Sequence, residues 1–242
     1  MEDRELLAAY AERADEAAFG ELVRRHGGWV LAVCRRRVGD AAMAEDAAQG
    51  VFAALAKRAG KLARQSARSR LGEHWRLEGW LHEAARFAAG NWRRGEARRN
   101  RRESEAAAMR SEVAESADWD AIASAVEPAL DRLSTPDRQA ILLRFYRQME
   151  YPEMAAAMGI SEAAAKKRVE RAVQRLRKVL GKRGVAMGAA ALAAGLMAQA
   201  AEPAPAAVLG KLSAMGAAIT HGAAVSGKIA VIAKGVEHMF FW

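Results

Sequence analysis

"YPEMAAAMGISEAAAKKRVERAVQRLRK", residues Tyr151 to Lys178, decides the fold of the chain's second half. Pro152 sits where a helix begins, because a proline in the first turn gives up an N–H that has no intrahelical partner anyway. Gly159 follows a short apolar run and suits the left-handed position that ends a helix. Ser161 then caps a second helix, in which Ala165, Val169, Ala172, Val173, Leu176 and Leu180 recur at helical spacing as a buried stripe. Lys167, Arg171, Arg175 and Lys178 fall on or near the opposite side. A short helix, a tight turn and a basic second helix make a helix-turn-helix pattern, suited to placing the second helix in a DNA major groove. An ordinary helical hairpin with a solvated Lys/Arg face satisfies the same spacing.

Just upstream, "LSTPDRQAILLRFYR" repeats the device, with Thr135 expected as the cap, Pro136 at the first helical position, and Ile141, Leu142 and Phe145 on one face. This second domain opens near Val126. Before it, residues 104–125 are polar, mixed in charge and without a sustained apolar stripe, and read as a flexible linker.

The first 103 residues read as a separate helical domain. Leu6, Leu7 and Tyr10, then Phe19, Leu22, Val23, Val30 and Leu31, recur at helical spacings, and Gly39-Asp40 punctuates before the next helix. In "AEDAAQGVFAALAKRA", residues 44–59, Ala44, Ala48, Val51, Phe52 and Leu55 share one face, while Glu45, Asp46 and Gln49 form a polar patch away from it. Residues 64–72 read as a solvated loop. A long helix then resumes on Trp80, Leu81, Ala84, Ala85 and Ala88, and its far end becomes almost purely Arg.

Composition agrees with an all-α chain: 242 residues, rich in Ala, Arg, Glu and Leu, with only five Pro, favour helix over sheet. The net charge is +9 and the isoelectric point about 10.1, which points to an anionic partner, nucleic acid or a lipid surface. Seven Arg against one acid lie between 86 and 102, and nine basic residues against one acid between 164 and 184. Those two clusters exceed the whole net charge, so the rest of the chain is slightly acidic. Cys34 is the single cysteine, which excludes an intramolecular disulfide and a thiolate zinc site. The five His are scattered without ligand spacing and read as satisfied surface or core residues. No Walker-type loop, Gly-x-Ser-x-Gly, His-Glu-x-x-His or Cys/His cluster supports catalysis, so neither an enzyme nor a cofactor is expected.

Three motifs in order, residues 44–59, "GWLHEAARFAAGNWRRGEARR" at 79–99 and the stretch 133–180, closely resemble bacterial RNA polymerase sigma factors of the sigma-70 family, in the extracytoplasmic-function group. The likeness covers about residues 1–184. It implies a region 2-like domain at 1–103, a linker at 104–125 and a region 4-like helix-turn-helix domain at 126–184. Glu45, Asp46, Gln49 and Phe52 would dock on the clamp helices of the polymerase β′ subunit. Trp92, Arg93, Arg94, Arg98 and Arg99 would hold the minus 10 promoter region and help to melt it; Trp92 is open to two readings, a base-stacking platform and a core residue. Ser161, Glu162, Lys166, Lys167, Arg168 and Arg171 would read the minus 35 element. The partners implied are core RNA polymerase, promoter DNA and an anti-sigma factor. A stand-alone helix-turn-helix regulator that never touches polymerase is the alternative.

Residues 185–242, an Ala/Gly-rich extension, depart from the family pattern. "VAMGAAALAAGLMAQAA" is uncharged for 17 residues, at the lower limit of the roughly 17–25 needed for a membrane span, and Phe240, Phe241 and Trp242 would suit a lipid interface. A soluble helical tail that folds back on the chain or contacts a regulator, leaving the protein cytoplasmic, is the other reading and the leading one. The N-terminus "MEDRELLAAY" lacks the apolar core of a signal peptide.

Overall fold

Helix ends in the first half are set by short acidic side chains and by glycine. Glu2 and Glu5 form a reciprocal capping box that starts α1 (Asp3–Arg13). The Ala18 N–H donates to Asp15 Oδ1 at 3.0 Å to start α2 (Glu16–Val38). Gly39 ends α2 at φ 79°, and the Met43 N–H donates to Asp40 Oδ1 at 2.8 Å to start α3 (Ala41–Arg68). The computed structural model describes residues 1–68, 76–103, 119–185, 187–201 and 204–240, apart from the side chains of 67–68, 91–103, 119–121, 124 and 199–201. All secondary structure among the described residues is helical. Residues 64–68, expected in a solvated loop, belong to α3, and the rest of that stretch lies outside the described residues.

α3 is the axis of the molecule. Ten consecutive residues, Ala47 to Ala56, are buried, whereas the sequence predicts a single apolar stripe. A helix buried on all sides needs neighbours on all sides. On one side stand α1, α2 and α4 (Leu77–Glu103), with Phe52 edge-on to Phe19 at 6.4 Å. The other side is closed by the C-terminal extension, which forms α9 (Ala189–Ala201), α10 (Ala206–Thr220) and α11 (Gly227–Met239).

The second half comprises α5 (Trp119–Leu130), α6 (Thr135–Ile141), a π-turn (Leu142–Tyr146), α7 (Tyr151–Met158) and α8 (Glu162–Gly181). α5 begins within the stretch read as a linker, of which residues 104–118 lie outside the described residues. Ser134 stands at the cap of α6, one residue before the expected Thr135, and Pro136 lies within its first turn. In the π-turn the Arg147 N–H donates to the Leu142 carbonyl at 2.9 Å, five residues back, and the wider turn places Leu143, Phe145 and Tyr146 all in the core.

Glu127 of α5 joins the two halves. Arg36 of α2 donates to Glu127 Oε1 from Nε at 2.9 Å and from Nη2 at 2.6 Å, and the Tyr146 hydroxyl donates to the same oxygen at 2.8 Å. His82 Nε2 of α4 lies 3.2 Å from Oε2, and Arg37 Nη2 donates to the Glu127 carbonyl at 3.1 Å and to Asp131 at 3.0 Å. Burial alone would raise the Glu127 carboxyl, but Arg36, His82 and Arg37 outweigh it and hold the group well below the usual carboxylate range. His26 and His82, unassigned between surface and core by the sequence, are both fully buried.

α9 is shorter than the segment read as a membrane span. Its 13 residues reach about 20 Å at 1.5 Å per residue, against a hydrocarbon core of about 30 Å. Among the described residues no helix is long and apolar enough to cross a membrane. Leu192 and Leu196 of α9 are buried, and α9 packs on the π-turn and on α8. Phe240, expected at a lipid interface, instead stacks on Trp80 with ring centroids 5.2 Å apart; Phe241 and Trp242 lie outside the described residues.

Glu127→Gln strands two buried guanidinium groups, and the expected loss is about 3–5 kcal/mol of folding stability. Because the carboxyl is depressed in the folded chain, its contribution is complete above the ordinary carboxylate range and is lost as the pH falls through and below it. Urea denaturation at stepped acidic pH should show a steeper loss for the natural chain than for Glu127→Gln.

Candidate nucleic-acid interface

The helix-turn-helix is built from local hydrogen bonds that fix the approach of α8. Glu150 caps α7, its N–H donating to Glu153 Oε2 at 3.0 Å in a capping box. Gly159 then adopts φ 62°, a left-handed conformation that costs glycine nothing, and the Ile160 N–H turns back to the Ala155 carbonyl at 3.1 Å. Ser161 Oγ accepts the Ala164 N–H at 3.2 Å and starts α8. The cap, the glycine and the stripe stand where the sequence predicts them: Ala165, Val169, Ala172, Val173, Leu176 and Leu180 are all buried.

Ser161, Glu162, Lys166, Lys167 and Arg171 are exposed along the first turns of α8, and Arg168 is half-buried at the edge of that face. Four cations against the two acids Glu162 and Glu170 give a basic surface of the width of one helix, which matches the dimensions of a major groove. Two arginines are drawn aside. Arg175 pairs with the buried carboxylate of Asp137 in the first turn of α6, and Arg171 Nε lies 3.9 Å from the same group. Asp137 thereby ties α6 to α8 and sets the angle at which the basic face is offered. The sequence offered only one hint of it, an acid at a position where a helix N-terminus favours negative charge.

The second basic cluster lies at the end of α4. Trp92, Arg93, Arg94, Arg98 and Arg99 all fall within that helix, and their side chains are outside the described residues.

The patch expected on α3 is only partly open. Glu45 and Asp46 are half-exposed, Gln49 is 9% exposed, and Phe52 is fully buried. Glu45 is bound to Lys211 of α10 at 3.0 Å. Phe52 is packed inward in this structure, edge-on to Phe19.

Sequence reasoning missed the groups that join the two halves: Arg36, Arg37, Glu127 and Arg147. "CRRRV", three consecutive arginines directly after the apolar run Trp29 to Cys34, was the available signal. Arg147 Nη1 lies 3.2 Å from Asp3, 3.2 Å from His26 and 2.9 Å from Glu78. Those three residues bring ligand atoms within 4.8 Å of one another, but the guanidinium already supplies the cation among them. Burial opposes ionisation of Asp3, and His26, Arg147 and Arg25 overcome it, so the carboxyl is held below its usual range. Cys34 is buried, and burial pushes its thiol up to about 12.

Comparison with known proteins identifies the arrangement. Residues 22–99 match the family described as Sigma-70 region 2, and residues 124–176 match Sigma-70, region 4. RNA polymerase sigma factor CarQ of Myxococcus xanthus is 30% identical over 170 residues, covering 68% of this chain and 90% of that protein. Among solved structures, the sigma factor RpoE of Bartonella quintana, in complex with the anti-sigma factor NepR, is 26% identical and covers 63% of this chain and 89% of that one, with a TM-score of 0.27. The chain belongs to the sigma-70 family of bacterial RNA polymerase sigma factors, in its extracytoplasmic-function group, with extra helices beyond region 4. It is a non-enzymatic factor that binds core RNA polymerase and directs transcription initiation. A stand-alone regulator would leave the region 2 match without a use.

Asp137→Ala removes a charged hydrogen-bond acceptor from beneath α8 and should lower stability by about 1–3 kcal/mol in thermal or urea melts.

Proposed function

We propose that the first turns of α8 read the minus 35 element, with Lys166, Lys167 and Glu162 reaching base edges and Ser161, Arg168 and Arg171 holding phosphates. The observation that carries this reading is the exposed basic face on α8, presented by a capped turn and backed by a fully buried stripe. The arginine end of α4, with Arg93, Arg94, Arg98 and Arg99 on the backbone and Trp92 as a stacking platform, holds the minus 10 strand once it opens. Glu45, Asp46 and Gln49 receive the β′ clamp helices, since an acidic and amide patch complements a basic coiled coil. In this reading residues 1–103 and 126–184 are the working domains, the protein acts in the cytoplasm, and an anti-sigma factor is a further partner.

Run-off transcription with core polymerase tests the promoter-specific role, and co-elution tests the docking patch: Asp46→Arg should abolish co-elution with core while leaving the helical circular dichroism unchanged. The two basic clusters should separate in DNA binding. Lys167→Ala changes base preference at the upstream element, whereas Arg98→Ala weakens binding across promoters and lowers the salt slope by about 1. Equal, sequence-blind losses from both would contradict the assignment of α8 as the reading helix.

A further inference from the structure

The face assigned above to polymerase already has an occupant. α10 and α11 lie along α3, with contacts from Glu45 to Arg58. At its start, Lys211 of α10 holds Glu45 at 3.0 Å. In the middle, Ile232 of α11 seats directly on Gly50, where no larger side chain has room. Two turns further on, Lys57 pairs with Glu237 at 3.2 Å, and Arg58 donates to the Glu237 carbonyl at 2.9 Å. α10 is also fastened to the rest of region 2: Gly216 lies against the Phe19 ring, and the Tyr10 hydroxyl donates to the Gly216 carbonyl at 2.9 Å. The apolar residues that α10 and α11 turn inward, Val208, Leu212, Ile229, Ile232 and Val236, are all buried.

We propose that residues 187–240 are a built-in cap that competes with core polymerase for α3. This inference rests on the reading of Glu45, Asp46 and Gln49 as the docking patch. Lys211 supplies the positive charge that a basic coiled coil would bring to Glu45, so cap and polymerase satisfy the same group and exclude one another. α9 extends the restraint to the other half of the molecule by packing on α8 and the π-turn while also touching α2. The tail thus covers the polymerase-facing helix and holds region 4 against region 2 with one continuous segment.

The span of a promoter points the same way. Elements named for positions 10 and 35 are separated by about 25 base pairs, or roughly 85 Å at about 3.4 Å per pair. A compact chain of this length has a diameter on the order of 45 Å. The two basic clusters can occupy both elements only after region 4 leaves region 2, and the capped form is therefore a resting form. Its hold is releasable: α9 is built mostly of Ala and Gly and α10 nearly half so, and these residues bury less apolar area than Leu or Phe would. If the cap is closed 99% of the time, apparent affinity for core falls about 100-fold.

A reversible staple in the full-length chain tests this. A Cβ at Gly50 would lie 2.7 Å from the Ile232 Cβ, so a Gly50→Cys, Ile232→Cys pair reaches the Cβ separation of about 3.8 Å in a disulfide with a small outward shift. Buried Cys34 does not compete for the bond. The oxidised protein should bind core polymerase at least tenfold more weakly than the same protein after reduction. In a second variant, Leu212→Asp places a charge in the buried side of α10 and should bind core at least tenfold more tightly than the natural chain, with its helix content retained. Equal binding by the oxidised and reduced forms, with Asp46→Arg still weakening core binding, overturns the cap and leaves the docking patch standing. Unchanged binding by Asp46→Arg overturns the docking patch itself, and with it the competition proposed here.

Discussion

A single buried carboxylate holds the two halves of this molecule together. Glu127 has no exposure to water, and an ion so placed is stable only when partners replace its lost hydration. Arg36, His82 and Tyr146 supply them from three different elements, so the position of α5 is dictated by α2, α4 and the π-turn at once. Everything downstream inherits that position. α8 packs on α5 and is turned by the Asp137–Arg175 pair, so the basic face is aimed, through a short chain of contacts, by a charge far from it. The hub is not fully satisfied, however: Arg37 Nε and His82 Nδ1 are buried without hydrogen-bond partners, and the 3.8 Å from Arg37 Nε to Glu127 is too long for one. Such a joint specifies one arrangement and still separates more readily than a dry apolar interface of equal size.

α3 sets the second constraint. A helix that is apolar or small from Ala47 to Ala56 at every position but Gln49 is not suited to face water, and region 2 alone covers only part of it. The remainder must be covered by something: in this structure by α10 and α11, and in a transcription complex, on the reading proposed here, by polymerase. One surface requirement thus links stability to function. The charges at the ends of the covered stretch, Glu45 and Lys57, discriminate among covers through their pairing with Lys211 and Glu237.

How much of this was legible in the sequence depends on the range of the interaction. Gly159, Ser161 and the stripe from Ala165 to Leu180 were readable because capping, a left-handed turn and helical periodicity act over a few residues. The same holds for α1, α2 and the first half of α4. Tyr146 was missed because the π-turn inserts an extra residue and rotates the following side chains out of the expected register. Glu127 and Arg36 are 91 residues apart, and no local rule pairs them. The tail illustrates the same limit from the opposite direction: 17 uncharged residues look like lipid-facing sequence until their partners, the π-turn and α8, are known.

The distance in sequence between α3 and its cover has a consequence for the birth of each molecule. Tyr10 and Gly216 are bonded across 206 positions, and Arg58 and Glu237 across 179. At a synthesis rate of about 5–20 residues per second, the first of those gaps corresponds to roughly 10–40 s. Only in the later part of that time, after α4 has been made, does region 2 stand complete with one side of its central helix bare. Every newly made chain therefore passes through an uncovered interval set by translation speed rather than by any equilibrium, in which a chaperone or, on the reading proposed above, polymerase has access to α3 before α10 and α11 do.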